Sequence, residues 1–475
     1  MRAVTDRPLL RTPVRASVGF TLTGILSRLL ALASTAVLTR LLTPAQFGLY
    51  PLYAARLSLV SVFATMNLGG GILYRGMQRA GVSGRDGFVR RVLCLSAVPF
   101  LLTAAACLLA SRLFPTLWSM PTSVTLLMLL QIASGLPLTL FQGRCRFLYR
   151  PKVYALCTLS VALLTPIVTY GLIRGLGLGA LARLIAPVAV GVAAAVPLTV
   201  YLLRLPSPTD APTFAMGRYA LSQGALLLPY ALSLCAVEEV GRLLLGSSAG
   251  AAALAVFGIA YAVGTAPMLL FSGVQAVLQP WLMRKLSSGE GATVRQVLRL
   301  VCLGVCASTV ALSLVAPELI ALLAPRAYAD ALRYVVPVAL SVLPHVLFLT
   351  FTAVALQRER AGWVTVAAVI AGGVSCLLYA LLIPRYGAAA AAPLSAVAYA
   401  LLALSSYAVM RRADADTARI CDGRYTLLLY AATAGLCLSA TRLYALPPYR
   451  FVLLVLLCVA TAAFAFPYRR LLKEA

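Results

Sequence analysis

A chain of 475 residues that is 61% hydrophobic and only 11% charged, with a mean hydropathy of +0.94, has too little polar surface to fold as a water-soluble globule. Its apolar runs are continuous and lack period-two alternation, which excludes a transmembrane β-barrel and leaves helices with lipid as their solvent. A net charge of +27 would suggest nucleic acid in a soluble protein, but here the basic residues fall in short connections between apolar runs, and no nucleic-acid partner is expected.

The runs predict an all-α polytopic membrane protein of about fourteen helices, near 16–38, 49–73, 88–110, 121–142, 152–173, 176–202, 215–236, 249–280, 297–316, 331–356, 361–383, 387–410, 425–441 and 450–467. Ahead of them, residues 1–15 carry Arg2, Arg7, Arg11 and Arg15 without a small-residue cleavage site after the first apolar run, so no cleaved signal peptide is expected. Of the 40 Lys and Arg, 28 fall on the side of the N-terminus, nine on the other side and three inside spans; this asymmetry predicts that both termini are cytoplasmic.

Self-comparison reveals a repeat. Val89-Arg-Arg-Val-Leu-Cys-Leu95 is echoed by Val294-Arg-Gln-Val-Leu-Arg-Leu300, Phe47-Gly48 by Phe257-Gly258, and Leu172-Ile173 with Gly177 by Leu382-Ile383 with Gly387. Two parallel six-helix lobes around a central cavity are the expected consequence: an N-lobe over 16–202 and a C-lobe over 215–410. The proline-rich stretch 203–214 reads as a cytoplasmic linker between them, and 411–475 as a cytoplasmic loop, two extra helices and a short tail.

Arg28 lies near the middle of the first span, with Arg56 and Arg183 inside the second and sixth. An arginine at the bilayer midplane costs about 2.5–3.5 kcal/mol on insertion scales, so each is expected to face a cavity or a partner, and guanidinium groups in a wet cavity suit a phosphate or diphosphate. Asn67, Gln131, Gln223 and Gln275 supply hydrogen-bonding groups within or near spans; they serve either interhelical packing or recognition of sugar hydroxyls. No Asp or Glu falls well inside a predicted span, since Glu238 and Glu239 end the seventh; a buried coupling carboxylate is therefore not expected. Gly69-Gly-Gly71 permits bending or close helix approach. The eleven cysteines are scattered and His345 stands alone, which gives no expectation of a metal or disulfide site; Cys302 and Cys306, on one helix face, read as packing residues. GxSxG, HExxH and Walker patterns are missing, so neither an enzyme nor a cofactor is implied.

Leu41-Leu-Thr-Pro-Ala-Gln-Phe-Gly-Leu-Tyr50, followed by Met66-Asn-Leu-Gly-Gly-Gly-Ile72 and Gly76-Met77, resembles the first two helices of the bacterial oligosaccharide flippases, which export O-antigen and capsule repeat units. Phe257-Gly-Ile-Ala-Tyr261 with Pro280-Trp281 is similar to their eighth helix, Ala316-Pro-Glu-Leu-Ile320 with Ala324-Pro-Arg-Ala-Tyr328 to an outward loop, and Leu382-Ile-Pro-Arg-Tyr-Gly387 to the turn between helices eleven and twelve. The resemblance covers about residues 16–412 and implies the two-lobed fold of the multidrug, oligosaccharidyl-lipid and polysaccharide exporter superfamily in a bacterial cytoplasmic membrane. It further implies alternating access and an undecaprenyl-diphosphate-linked glycan as cargo, whose diphosphate Arg28, Arg56 and Arg183 are then expected to hold; membrane lipid, glycan polymerase and transferases are the expected partners. Glu239-Val-Gly-Arg242 stands where relatives often have an Asp-Arg pair, and the asparagines common in helix eleven are missing around Gly372–Tyr379. A lipid II flippase, a multidrug or metabolite antiporter and a non-transporting scaffold are the alternatives.

Overall fold

The computed structural model describes residues 11–465 apart from 119, 207–212, 289, 358–360 and 414–420. Arg2 and Arg7, the middle of the 203–214 connection and residues 466–475 lie outside the described residues.

In chain order the helices are α1 (Arg11–Leu41), α2 (Pro44–Thr65), α3 (Leu73–Leu113), the single turn α4 (Pro115–Trp118), α5 (Thr122–Phe147), α6 (Pro151–Leu176), α7 (Ala180–Leu203), α8 (Thr213–Ser248) and α9 (Gly250–Gly264). They continue as α10 (Pro267–Ser287), α11 (Gly291–Leu323), α12 (Leu332–Ala339), α13 (Val342–Gln357), α14 (Ala361–Tyr386), α15 (Ala388–Ala413), α16 (Gly423–Arg442) and α17 (Pro447–Ala465). Pro44, Pro151, Pro267 and Pro447 open helices, where a missing N–H costs nothing and a fixed φ suits the first turn. Leu101, Leu102, Leu156 and Leu428 stand 63–72% exposed, which is the surface a lipid-solvated helix presents.

Among the described residues eleven helices are long and apolar enough to cross a membrane, and two shorter apolar ones, over Gly250–Gly264 and Pro447–Thr461, bring the candidates to thirteen. This corrects the expected fourteen. The run read as one span over 249–280 breaks between α9 and α10, ahead of Pro267. The segment at 425–441 does form α16, but its polar and small residues, with Arg424 and Arg442 at its ends, keep it below the hydropathy of a span.

The chain divides into two compact units. One comprises residues 1–34 and 53–235, the other 35–52 and 236–475, so that α1, α2 and α8 each contribute to both. The internal repeat has a structural counterpart in corresponding elements. Gly177 and Gly387 end α6 and α14 in the left-handed conformation (φ +64° and +58°), the role a glycine fills without a Cβ penalty. Val89 and Val92 of α3 are buried, as are Val294 and Val297 of α11, and α5 packs on α7 as α13 packs on α15.

In the first unit the core gathers Leu68, Leu73, Met77, Phe88 and Val92 with Leu140, Phe141, Tyr154 and Leu202. Arg144, in the last turn of α5 and 7% exposed, is bidentate to Asp86 at 2.9 and 3.0 Å and donates to the Tyr201 hydroxyl at 2.9 Å. In the second unit Cys302 and Cys306 pack among Val346, Phe351, Leu429 and Tyr430, as packing residues. The two last helices are fastened to opposite ends of α11: Arg450 of α17, 3% exposed, is bidentate to Glu318 and donates to the Leu314 carbonyl, while Asp422, the N-cap of α16, pairs with Arg299. The Tyr425 N–H and the Arg299 guanidinium hold the Asp422 carboxyl below its usual range, so this clamp is present at neutral pH and is lost only as pH falls through that lowered value.

Candidate substrate cavity

The second transmembrane helix does not run on into the third. Met66 and Asn67 adopt left-handed φ values of 44° and 52°, and a five-residue π turn, Leu68–Ile72, follows before α3 begins. A positive φ is strained for Met and tolerated by Asn. The glycines allow the break to pass close to α5: a Cβ on Gly69 would meet Thr139 Cγ2 at 2.6 Å, and one on Gly143 would meet Leu73 Cδ2 at 2.6 Å. Gly69-Gly-Gly71 thus serves both bending and close approach.

Beside this break, within the first unit, lies a cavity of about 430 Å³. Its walls come from α2 (Ser58, Ser61, Thr65), the break (Asn67, Gly69), α3 (Ser96), α5 (Gln131, Ser134, Gly135, Thr139), α6 (Thr165) and α7 (Pro187, Gly191). Leu57, Leu68, Ile132, Leu136 and Val161 supply apolar surface between these groups. The volume falls in the ~300–1,000 Å³ range of small-molecule sites. Gln131 is fixed in place because its Oε1 accepts a 2.7 Å hydrogen bond from the buried Tyr53 hydroxyl.

The structure brings together two of the expected site residues, Asn67 and Gln131, and does not place the others at this cavity. Arg28 is exposed on α1; Arg56 and Arg183 are half-buried, each engaged with neighbouring groups; Gln223 belongs to α8 in the same unit. Gln275 lies on α10 of the second unit. The hydroxyls of the wall were not among the expected residues. Ser58, Ser61 and Thr65 recur at i, i+3 and i+7 on one face of α2, and that polar stripe in an apolar run was the available signal.

A second polar group departs from the expectation that Glu238 and Glu239 end their helix. The seventh long helix reaches Ser248, so Glu238, Glu239 and Arg242 lie within the candidate span Gly217–Ser248 instead of at its end. Arg242 donates to Glu239 at 3.0 Å and stands 4.3 Å above the Tyr261 ring. Glu238 accepts from the Tyr399 hydroxyl at 3.1 Å, Tyr379 donates to the Val237 carbonyl at 3.1 Å, and His345 stacks on Tyr399 with ring centroids 4.0 Å apart. His345 therefore does not stand alone. The i,i+3 pairing of Glu239 with Arg242 lets carboxylate and guanidinium enter the span together, as intramembrane charges require.

Over residues 37–333 the sequence matches the family described as polysaccharide biosynthesis protein. The chain belongs to that family. No curated protein matches it significantly. Solved structures with the same fold include an outward-facing multidrug resistance MATE family transporter of the MOP superfamily (14% identity, 88% of this chain and 99% of that chain, TM-score 0.60). Another is the lipid II flippase MurJ in an inward closed conformation (12% identity, 95% and 99%, TM-score 0.65), and a third a Vibrio cholerae MATE transporter (17% identity, 86% and 97%, TM-score 0.58). At these identities the likeness establishes the fold. The resemblance read from the helix-end motifs stands, and the chain is a multi-pass membrane protein with the fold of these transporters.

Proposed function

We propose that the protein carries a polyprenyl-diphosphate-linked oligosaccharide from the cytoplasmic to the outer leaflet of the bacterial cytoplasmic membrane by alternating access, for surface polysaccharide synthesis. The observation that carries this reading is the cavity of the first unit, whose walls offer Ser, Thr, Asn and Gln side chains to a hydroxylated ligand within a membrane-spanning bundle. Membership in a polysaccharide biosynthesis family and a fold shared with a lipid II flippase point to the same class of cargo. The glycan enters the cavity while the diphosphate keeps to the arginine-bearing helices, with Arg28 exposed to receive it. Both termini face the cytoplasm, and glycan polymerase and transferases act before and after transfer. In cells lacking this protein, lipid-linked repeat units accumulate in the inner leaflet and surface polysaccharide is lost; reintroducing the chain restores export. Normal surface polysaccharide without it, in cells with no substitute exporter, contradicts the assignment.

A second reading concerns the driving force. With no acid in the bilayer, the membrane potential alone would favour outward movement of an anion, by about 2.3 kcal/mol per charge per 100 mV. Glu238 and Glu239 inside a span remove the ground for excluding ion exchange, and they favour coupling to protons or sodium. Glu238→Gln is expected to abolish the response of transport to an imposed ion gradient while exchange without a gradient continues. An undiminished gradient response in that variant would show that Glu238 does not carry the coupling, whereas no response in the wild type would leave the potential as the sole driving force.

A further inference from the structure

Six of the seven hydroxyl groups on the cavity wall are already committed as donors. Ser61 donates to the Ser58 carbonyl at 2.7 Å, Thr65 to Ser61 at 2.8 Å, Ser96 to Leu93 at 2.7 Å, Ser134 to Gln131 at 2.9 Å, Thr139 to Gly135 at 2.8 Å and Thr165 to Val161 at 2.8 Å. A carbonyl can only accept, so in each pair the proton belongs to the hydroxyl and points back into its own helix. What these six oxygens turn toward the cavity is therefore lone pairs. The remaining neutral donors are the Ser58 hydroxyl and the amides of Gln131 and Asn67, and among the described residues lining the cavity none carries a charge.

From this we infer that the cavity selects uncharged, donor-rich glycans and discriminates against sugars that carry a carboxylate. The inference rests on the transport reading for its cargo and deepens it. A sugar hydroxyl or an acetamido N–H supplies the proton that each wall oxygen lacks. A carboxylate brings only acceptors, meets lone pairs, and loses hydration without a cation to replace it. The same reasoning keeps the diphosphate out of this cavity, in agreement with the positions of Arg28, Arg56 and Arg183 away from its walls. The apolar residues between the hydroxyls suit the C–H faces of sugar rings, so uncharged hexoses and N-acetylated sugars match both kinds of surface.

The test uses the full-length protein in liposomes with two polyprenyl-diphosphate disaccharides that differ only in a CH₂OH or a carboxylate on the second sugar. The neutral compound is expected to cross about tenfold faster, the effect of placing one charge against unpaired acceptors in a partly wet site. Thr139→Arg, at an exposed position on the wall, should narrow or reverse that ratio by supplying a cation. Because this variant gains activity toward the uronate, a folding defect cannot imitate it. Equal initial rates for the two compounds in the wild type, or faster movement of the uronate, would overturn the inference and leave the transport reading standing. If neither compound moves, binding of the free disaccharides separates the two claims: a preference for the neutral one upholds the cavity's selectivity and removes the transport reading, whereas no binding of either removes both.

Discussion

Asp86→Ala is expected to destabilise the first unit by about 3–5 kcal/mol, the cost of leaving a buried charge without its partner. Arg144 is 7% exposed and spends its guanidinium on Asp86 and on the Tyr201 hydroxyl, so removal of the carboxylate strands a cation that no water reaches easily. Helix termini add to the effect. Arg144 lies in the last turn of α5, where a cation suits the partial negative charge of the helix end. Asp86 lies just past the kink at Gly81 (φ +68°), near the start of the apolar stretch Gly84–Leu113, where an anion suits the partial positive charge. Replacing both partners, as Asp86→Leu with Arg144→Met, should cost less than Asp86→Ala alone, because the buried charge goes with its counterion. Thermal unfolding in detergent measures both variants. A single variant as stable as the wild type would show that the pair is a solvated surface contact.

Filling the cavity is expected to stop transport without unfolding the protein. Gly135 lines the cavity on α5, and a Cβ built there meets no atom within 4 Å. Gly135→Trp therefore places an indole in open space, and replacing a mid-helix glycine favours the helix by several tenths of a kcal/mol or more. Transport should fall roughly ten- to a hundredfold as the cargo loses its seat, with thermal stability equal to or above that of the wild type. Gly171→Trp on α6, also free of neighbours within 4 Å but not on the cavity wall, serves as the control and should transport normally. A Gly135→Trp protein as active as the wild type would move the cargo path out of this cavity.

The positions of most helices were legible because lipid imposes one simple rule, a continuous apolar run long enough to cross, and the proline and glycine signals at Pro44, Pro151, Gly177 and Gly387 mark where runs begin and end. The rule misled where polar residues sit inside a helix. Glu238-Glu239-Val-Gly-Arg242 lowers local hydropathy and reads as a helix end, yet pairing of Glu239 with Arg242 and acceptance of the Tyr399 hydroxyl by Glu238 let α8 continue to Ser248. The Tyr261, Tyr379 and Tyr399 partners are up to 161 residues away along the chain, so no local pattern announces them. In the cavity, Asn67 and Gln131 were legible because amides are conspicuous in an apolar span. The six hydroxyls were not, because Ser and Thr are common in spans, where each can satisfy its proton on its own helix. Their lone pairs become a site only when α2, α3, α5 and α6 bring them to one space.

The most direct measurement is reconstitution into liposomes that carry a fluorescent polyprenyl-diphosphate oligosaccharide, scoring access of a membrane-impermeant quencher with and without the protein. Protein-dependent translocation that Gly135→Trp removes and Gly171→Trp retains is the predicted result. Folded wild-type protein that moves no glycan of several tried, neutral ones included, would contradict it.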